Sequence, residues 1–354
     1  MKEKAARAAG RIVRVLLLLT LFAVVAAWAL SYRLGHPPRP AGPPGQATVI
    51  FPAGTSTAQI FRILARNGVI ENAGLAEIYY RLYRRATPLQ AGEYSLDRPT
   101  PIDDVINRLG HGDVVKHAVV VPEGLTAEET FQLFWSRGIG GPEAFRHALS
   151  ETELLPGVSS GVSDLEGYLF PDTYVVTRST PAQQIVDRMV AQFRKNFSPE
   201  MAEKARSLGL TPRQAVTLAS IVERESGLSR EGPAIASVYL NRLKRGMRLQ
   251  ADPTVIYALK RDGAWKGTLY RSDYGYESPY NTYVHEGLPP GPICSPGVNA
   301  LKAAVAPART DYLYFVADET GGHTFSRSFE EHLRAIAAAH RTRAEETPEN
   351  STQN

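Results

Sequence analysis

Eighteen consecutive residues without a charge, Val15–Tyr32, constrain this chain more than any other segment. Thr20 and Ser31 are the main interruptions of their apolar character. As a helix the run is about 27 Å long, close to the hydrocarbon thickness of a bilayer. Lys2, Lys4, Arg7, Arg11 and Arg14 precede it, a flank that does not suit a buried core helix. Trp28 and Tyr32 stand at the far end, where aromatic residues favour the membrane–water interface. The basic cluster is expected to stay in the cytoplasm, which sends everything after Arg33 across the membrane. Ala27-Trp28-Ala29 also resembles a signal-peptide cleavage site, but the length of the run favours a retained anchor. The expected location is the plasma (inner) membrane, single-pass, with the bulk of the chain periplasmic or otherwise extracytoplasmic.

The next stretch, Gly35–Gly45 (GHPPRPAGPPG), reads as a Pro-rich spacer. A polyproline segment of this kind reaches roughly 30 Å and would lift the following domain off the membrane. Cys294 is the only cysteine, so no intrachain disulfide is possible and an exported fold must rest on its cores. The pI near 9.0 owes part of its height to the membrane-flanking cluster. A net charge of +4 is too small and too scattered to indicate nucleic acid as a partner.

An internal repeat follows. Val49–Ser56 (VIFPAGTS) matches Val119–Thr126 (VVVPEGLT), seventy residues later. Each copy is a short β-branched strand, a Pro-x-Gly turn, and a Ser or Thr placed to cap a helix. The helices continue as Ala58–Asn67 and Ala127–Arg137. The first copy extends through a second helix, Gly74–Arg84, to a return strand in Gln90–Leu96, and Ile102–Leu109 is another short helix. Strand, capped helix, helix and strand over about Thr48–Leu96 resemble the LysM carbohydrate-binding module, although an efficient strand-to-helix connection alone would produce the same pattern.

Further along, Asp164–Thr173 (DLEGYLFPDT) reads as a strand running into a turn at Pro171-Asp172, and Pro181–Asn196 as an amphipathic helix. Asp252-Pro253 and Ser295-Pro296 each look like a cap followed by a first-turn proline. Tyr312–Asp318 reads as a buried strand that Gly321-Gly322 turns back as a hairpin, and Ser328 is placed to cap a last helix, Phe329–His340. The most informative helix is Thr211–Gly227. Thr211 suits the N-cap, Pro212 the first helical position and Gly227 the stop. Val216, Ala219 and Glu223 share a face with Ala215 and Val222 beside them, so Glu223 lies in an apolar arc that should raise its pKa. A carboxyl kept protonated near neutrality is what a general acid needs. Glu225 lies near the other edge of the arc, beyond Leu218, and Arg224 and Arg230 are close enough to neutralise either residue. The helix pattern alone leaves the choice between Glu223 and Glu225 open, and also the choice between an acid and a buried salt bridge.

Several segments in order resemble the MltG/YceG-like endolytic murein transglycosylases. They are Leu165–Tyr174 (LEGYLFPDTY), Ala219–Ser226 (ASIVERES), Ala236–Thr254 (ASVYLNRLKRGMRLQADPT), Tyr280–Tyr283 (YNTY), Gly287–Gly291 (GLPPG), Leu313–Asp318 (LYFVAD) and Gly322–Ser326 (GHTFS). The resemblance implies a fold of class α+β: a single N-terminal transmembrane helix, a small LysM-like α/β module and an α+β catalytic domain with a small sheet. On that plan residues 1–14 are a cytoplasmic basic segment, 15–33 the span, 34–47 the linker and 48–112 the LysM-like module. Residues 113–163 hold the second repeat and a connection, 164–341 the catalytic domain, and 342–354 a disordered tail.

The resemblance also implies the chemistry. It makes Glu223 the catalytic acid and points to Glu166, Gln250, Asp252, Asn281 and Tyr283 as residues lining a glycan groove. The implied reaction cleaves the MurNAc–GlcNAc bond of peptidoglycan with the 6-hydroxyl of the muramic residue as nucleophile, leaving a 1,6-anhydro end. It needs no metal and no organic cofactor. The implied partners are peptidoglycan glycan strands, the lipid bilayer through Val15–Tyr32, and cell-wall synthases that a membrane tether would keep near. Two other classes stay open on the residues alone: a non-catalytic anchored peptidoglycan-binding protein, and a lysozyme-type hydrolase pairing Glu223 with Glu166 or Asp252.

Overall fold

The computed structural model describes residues 2–35, 45–155, 164–319 and 321–345. Most of the expected spacer, 36–44, and the tail from 346 onward lie outside the described residues. Helix α1 (Lys2–Gly35) contains Ile12–Tyr32, a stretch of 21 residues long and apolar enough to cross a membrane. The chain forms two compact units, residues 1–117 with 175–179 and residues 118–174 with 180–354. The architecture mixes helices with small sheets, each sheet of two strands.

The first unit is built on β1 (Gly45–Phe51), whose alternate residues Ala47, Val49 and Phe51 face inward. It pairs antiparallel with β2 (Gly92–Arg98), placing Val49 opposite Tyr94 and Ala47 opposite Leu96. Between them run α2 (Thr57–Arg66), α3 (Ala73–Tyr79) and a π-helical turn, Tyr80–Arg84. The order is therefore strand, helix, helix, strand. Helix α4 (Ile102–His111) closes the core with Ile102, Val105, Ile106 and Leu109.

The two copies of the repeat share one physical device. The turn of each passes through a glycine at positive φ, Gly54 at 81° and Gly124 at 79°. A capping box follows in each. Ser56 Oγ accepts the Gln59 N–H while Gln59 Oε1 accepts the Ser56 N–H at 3.0 Å. Thr126 and Glu129 repeat the exchange at 3.2 and 3.0 Å. The copies then diverge, because β3 (His117–Val120) pairs with the distant β4 (Thr173–Val176) and α5 (Ala127–Trp135) leads into α6 (Pro142–Leu149).

The second unit is mainly helical: α7 (Ala182–Asn196), α8 (Pro199–Ser207), α9 (Pro212–Glu225), α10 (Gly232–Lys244), α11 (Asp252–Arg261) and α12 (Val298–Val305). Helix α9 starts on a Thr211–Gln214 capping box and is buried without a break from Ala215 to Val222. A helix with no wet side needs neighbours all round, and α8, α10, α11 and α12 supply them. A hairpin of β5 (Tyr314–Ala317) and β6 (His323–Ser326) and a last helix, α13 (Phe329–Glu345), complete the unit. Ser328 caps α13 through the Glu331 N–H at 3.1 Å.

Three sequence expectations need correction. Residues 164–172 are not a strand, and β4 begins only at Thr173. Gly167 sits at φ 85°, so close to Pro292 that a Cβ would come within 2.2 Å, and Leu165, Tyr168, Leu169 and Phe170 are all buried rather than alternating. Asp252 does not cap α11; Ala251 holds the N-cap position and Asp252 is already helical. Ser295 does not cap α12, whose N-cap is Gly297.

One buried charge ties the first unit together. Glu93 on β2 is 5% exposed and its Oε2 accepts from His117 Nε2 at 2.6 Å and Arg178 Nε at 2.8 Å. Burial alone would raise this carboxyl, but the two hydrogen bonds outweigh it and hold the pKa below the ordinary value. A depressed folded pKa adds stability above the unfolded value, about 4.3, and loses it as pH falls through the folded one. Thermal unfolding followed by circular dichroism should therefore show a shallower loss of stability below about pH 4.3 in Glu93→Gln than in the unaltered chain.

Candidate active site

The last turn of α9 carries both candidate acids out of the core, and the structure separates their surroundings. Glu223 is half-buried, and its Oε2 accepts the Gly297 N–H at 3.0 Å. Burial raises its pKa, the Gly297 bond lowers it, the charge of Glu123 raises it and that of Arg224 lowers it, with a net rise. Glu123 lies so tight against Gly297 that a Cβ there would come within 1.9 Å of its carboxylate. Glu223 thus pins the backbone at the start of α12.

Glu225 is partly buried and borders a cleft. Two hollows, of about 300 and 240 Å³, meet at Glu225 and Asp252, which line both. Glu223 is not among the residues lining either. The larger hollow is walled by rings, including Tyr239, Tyr283, Tyr314, Phe315 and Phe329. The smaller one is bordered by Thr126, Arg224, Ile256, Tyr257 and Lys260. Concave sites that combine ring faces with a few converging polar groups suit sugar-sized ligands.

A tyrosine shell holds the two carboxylates of this waist. Tyr239 of α10, itself buried, donates to Glu225 Oε1 at 2.8 Å. Tyr283 donates to Asp252 Oδ1 at 2.5 Å and Tyr274 to Oδ2 at 3.3 Å. Burial pushes the Glu225 carboxyl up to about 7; Asp252 adds to the rise, while the Tyr239 bond and the charges of His323 and Arg242 oppose it. Arg242 is fixed in place, donating from Nε to the Leu313 carbonyl at 2.7 Å and from Nη1 to the Leu249 carbonyl at 2.6 Å, beneath the Tyr314 ring.

The other residues marked in the sequence divide cleanly. Gln250 lines the larger hollow, is exposed, and has φ 48°, the one non-glycine at positive φ among the described residues. Tyr283 lines it as well. Asn281 does not reach it: the side chain is fully buried, donates to the carbonyls of Tyr274 (3.0 Å) and Tyr276 (2.8 Å), and accepts the Tyr283 N–H at 2.9 Å. Its amide is consumed in shaping the loop that delivers Tyr274 and Tyr283. Glu166 also lies inside the protein, accepting the Ala127 N–H at the start of α5 (3.0 Å) and the Tyr257 hydroxyl (3.4 Å), with burial pushing its pKa to about 8. It anchors a helix rather than lining either hollow. Tyr239, Tyr274 and Arg242 were not singled out from sequence. Tyr239 carried a usable signal, because a tyrosine on the inner side of a helix must find a partner for its hydroxyl.

A folded-state pKa above the unfolded one has a stability consequence. Glu225 contributes most favourably below its ordinary 4.5 and progressively less as pH rises to about 7. Glu225→Gln should therefore gain stability over the unaltered chain at pH 8, by at most about 3 kcal/mol, with the gain vanishing near pH 4. Thermal unfolding at the two pH values tests this. Tyr239→Phe should raise the Glu225 pKa further, read from the protonated-carboxyl infrared band as pH increases.

Several known proteins resemble this chain. Relatives named endolytic murein transglycosylase include one from Streptococcus pneumoniae, 31% identical over 319 residues, covering 82% of this chain and 58% of the relative. Another, from Bacillus subtilis, is 35% identical over 306 residues, covering 80% of this chain and 82% of the relative. The chain thus spans little more than half the length of the pneumococcal protein. A crystal structure of a yceG-like protein from Listeria monocytogenes superposes with a TM-score of 0.51 at 34% identity, covering 82% of this chain and 99% of that one. The YceG-like family model matches residues 49–338, and this chain belongs to the YceG-like family.

Proposed function

We propose that this protein is a membrane-anchored lytic transglycosylase that cuts within peptidoglycan glycan strands, with Glu225 as its acid and base. The observation that carries the reading is a carboxyl of pKa about 7 at the meeting point of two hollows. The names of the relatives supply the substrate and the endolytic mode.

In this reading the glycan strand lies across the waist, with sugar units in the hollows on either side. Glu225 protonates the glycosidic oxygen leaving with N-acetylglucosamine as the bond to muramic C1 breaks. The carboxylate then takes the proton of the muramic 6-hydroxyl, whose oxygen closes on C1 to form the 1,6-anhydro ring. The carboxyl regains its proton and no water is consumed. A value near neutrality suits one group to both transfers. The fixed negative charge of Asp252 stabilises positive charge developing at C1. Gln250, exposed and lining the larger hollow, contacts the acetamido group. Glu223, the acid that the family resemblance implies, is the alternative; one of its oxygens accepts the Gly297 N–H.

The anchor is Val15–Tyr32, with the basic N-terminus cytoplasmic and the rest extracytoplasmic. The strand–helix–helix–strand order of the first unit supports a LysM-like glycan-binding module. The anchor also supports coupling to cell-wall synthases.

Cleavage of purified peptidoglycan with mass spectrometry of the ends tests the assignment. Glu225→Gln should lose activity by about 100-fold or more, and Glu223→Gln, which keeps an acceptor for Gly297, should retain most of it. The reverse pattern would return the acid to Glu223. Reducing ends in place of anhydro ends would favour a hydrolase using Glu225 and Asp252 together. Gln250→Gly should relieve the backbone strain and leave stability equal or higher, by up to about 1 kcal/mol, while kcat/KM on glycan falls. Unchanged kcat/KM would remove Gln250 from the site.

A further inference from the structure

The outer face of α3 and its π-helical extension has no role in the core or in the candidate site. Leu75, Ile78 and Leu82 follow one another at helical spacing on one face, with Tyr83 beside them. They are 38, 49, 67 and 50% exposed. Ala76 and Tyr80, on the other side, are buried. Scattered exposed apolar residues are ordinary on a protein surface, but four on one short element form a patch. Residues 73–85 also hold three arginines: Arg81 pairs with Glu77, Arg84 pairs with Asp103 at 3.5 Å, and Arg85 adds a further positive charge. Arg81 and Arg85 are exposed at the border of the patch.

Two observations say what covers this face. Helix α1 packs against α3 and α4, and Ala27, Leu30 and Ser31 are partly covered while the rest of Ile12–Tyr32 is exposed. Only nine residues separate α1 from β1, which cannot stretch beyond about 35 Å. An apolar patch bordered by arginines, held this near the end of a membrane span, matches the surface of an anionic bilayer. The aliphatic stems of the arginines can lie along the apolar face while their heads stay among the headgroups.

We propose that Leu75, Ile78, Leu82 and Tyr83 insert into the extracytoplasmic surface of the anionic membrane that α1 spans. This rests on the reading of α1 as a span. The docking fixes the first unit against the lipid.

The test uses the full chain in nanodiscs of phosphatidylcholine with phosphatidylglycerol, spin-labelled singly at Leu82→Cys, Leu21→Cys or Val120→Cys. Cys294 is fully buried and stays unlabelled. The labels at positions 21 and 82 should collide more with lipid-soluble oxygen than with a water-soluble nickel chelate. The label at 120, on exposed Val120 of β3, should show the opposite ratio. Removing phosphatidylglycerol should move the label at 82 toward water. A lipid-immersed label at 21 with an aqueous label at 82 overturns the docking alone. An aqueous label at 21 overturns the anchor and the docking with it. A label at 82 that is aqueous in the disc but immobilised by added glycan strands assigns the face to glycan and overturns the proposal.

Discussion

The enclosure of α9 is the constraint on which the second unit depends. Eight consecutive buried residues, Ala215–Val222, leave the helix no solvated side, so four other helices must pack around it. Fully burying a Val, Leu or Ile side chain contributes about 1.5–3 kcal/mol, and the helix holds Val216, Leu218, Ile221 and Val222 in that state. The two polar residues inside are satisfied. Thr217 donates to the Arg213 carbonyl at 2.9 Å and Ser220 to that of Thr217 at 2.7 Å. Ser220 Oγ also accepts the Ile293 N–H at 3.0 Å. That bond draws the 292–295 segment, and with it one wall of the smaller hollow, onto the helix. The carboxylates emerge where the burial ends.

Three carboxyls here share one primary perturbation, burial, and differ in what else they meet. Glu166 is held by a backbone N–H and a tyrosine deep inside the unit. Glu223 has one oxygen committed to Gly297. Glu225 meets a tyrosine hydroxyl on one oxygen and borders both hollows. A raised pKa therefore does not distinguish a catalytic carboxyl from a structural one. What sets Glu225 apart among these three is that it borders both hollows.

The sequence was most legible where the signal was local. Capping boxes at Ser56, Thr126 and Thr211, the Pro-x-Gly turns and the hairpin glycines all act within a few residues, and each can be read from spacing. The limits came from long-range partners. Asp252 resembles a cap because Asp-Pro is a good helix start, yet its carboxylate bonds Tyr274 and Tyr283, 22 and 31 residues away. Asn281 resembles a ligand-binding amide, but its donors are spent on the loop carbonyls around it. Aromatic residues in 165–170 suggest a strand, and only the contact of Gly167 with Pro292 shows why the chain coils instead. The helical wheel placed Glu223 and Glu225 on the edges of one arc, and it contained nothing about Gly297 or Tyr239.

The contact between Tyr239 and Glu225 also says which oxygen carries the proton. Burial, together with the charge and hydrogen bond of Glu225, pushes the Tyr239 pKa well up, so its hydroxyl remains a donor across the working range. A donor aimed at Oε1 at 2.8 Å leaves that oxygen as an acceptor, and the transferable proton belongs on Oε2. The same bond stabilises the carboxylate once the proton has left, which limits how far burial can raise the pKa. Without the tyrosine the carboxyl would hold its proton more tightly and release it less readily. With the tyrosine in place, the two opposing influences leave it near 7, where giving up a proton and taking one back are of similar difficulty. On the proposed mechanism a single residue does both within one turnover and needs that balance, which is set by a hydrogen bond between two neighbouring core helices.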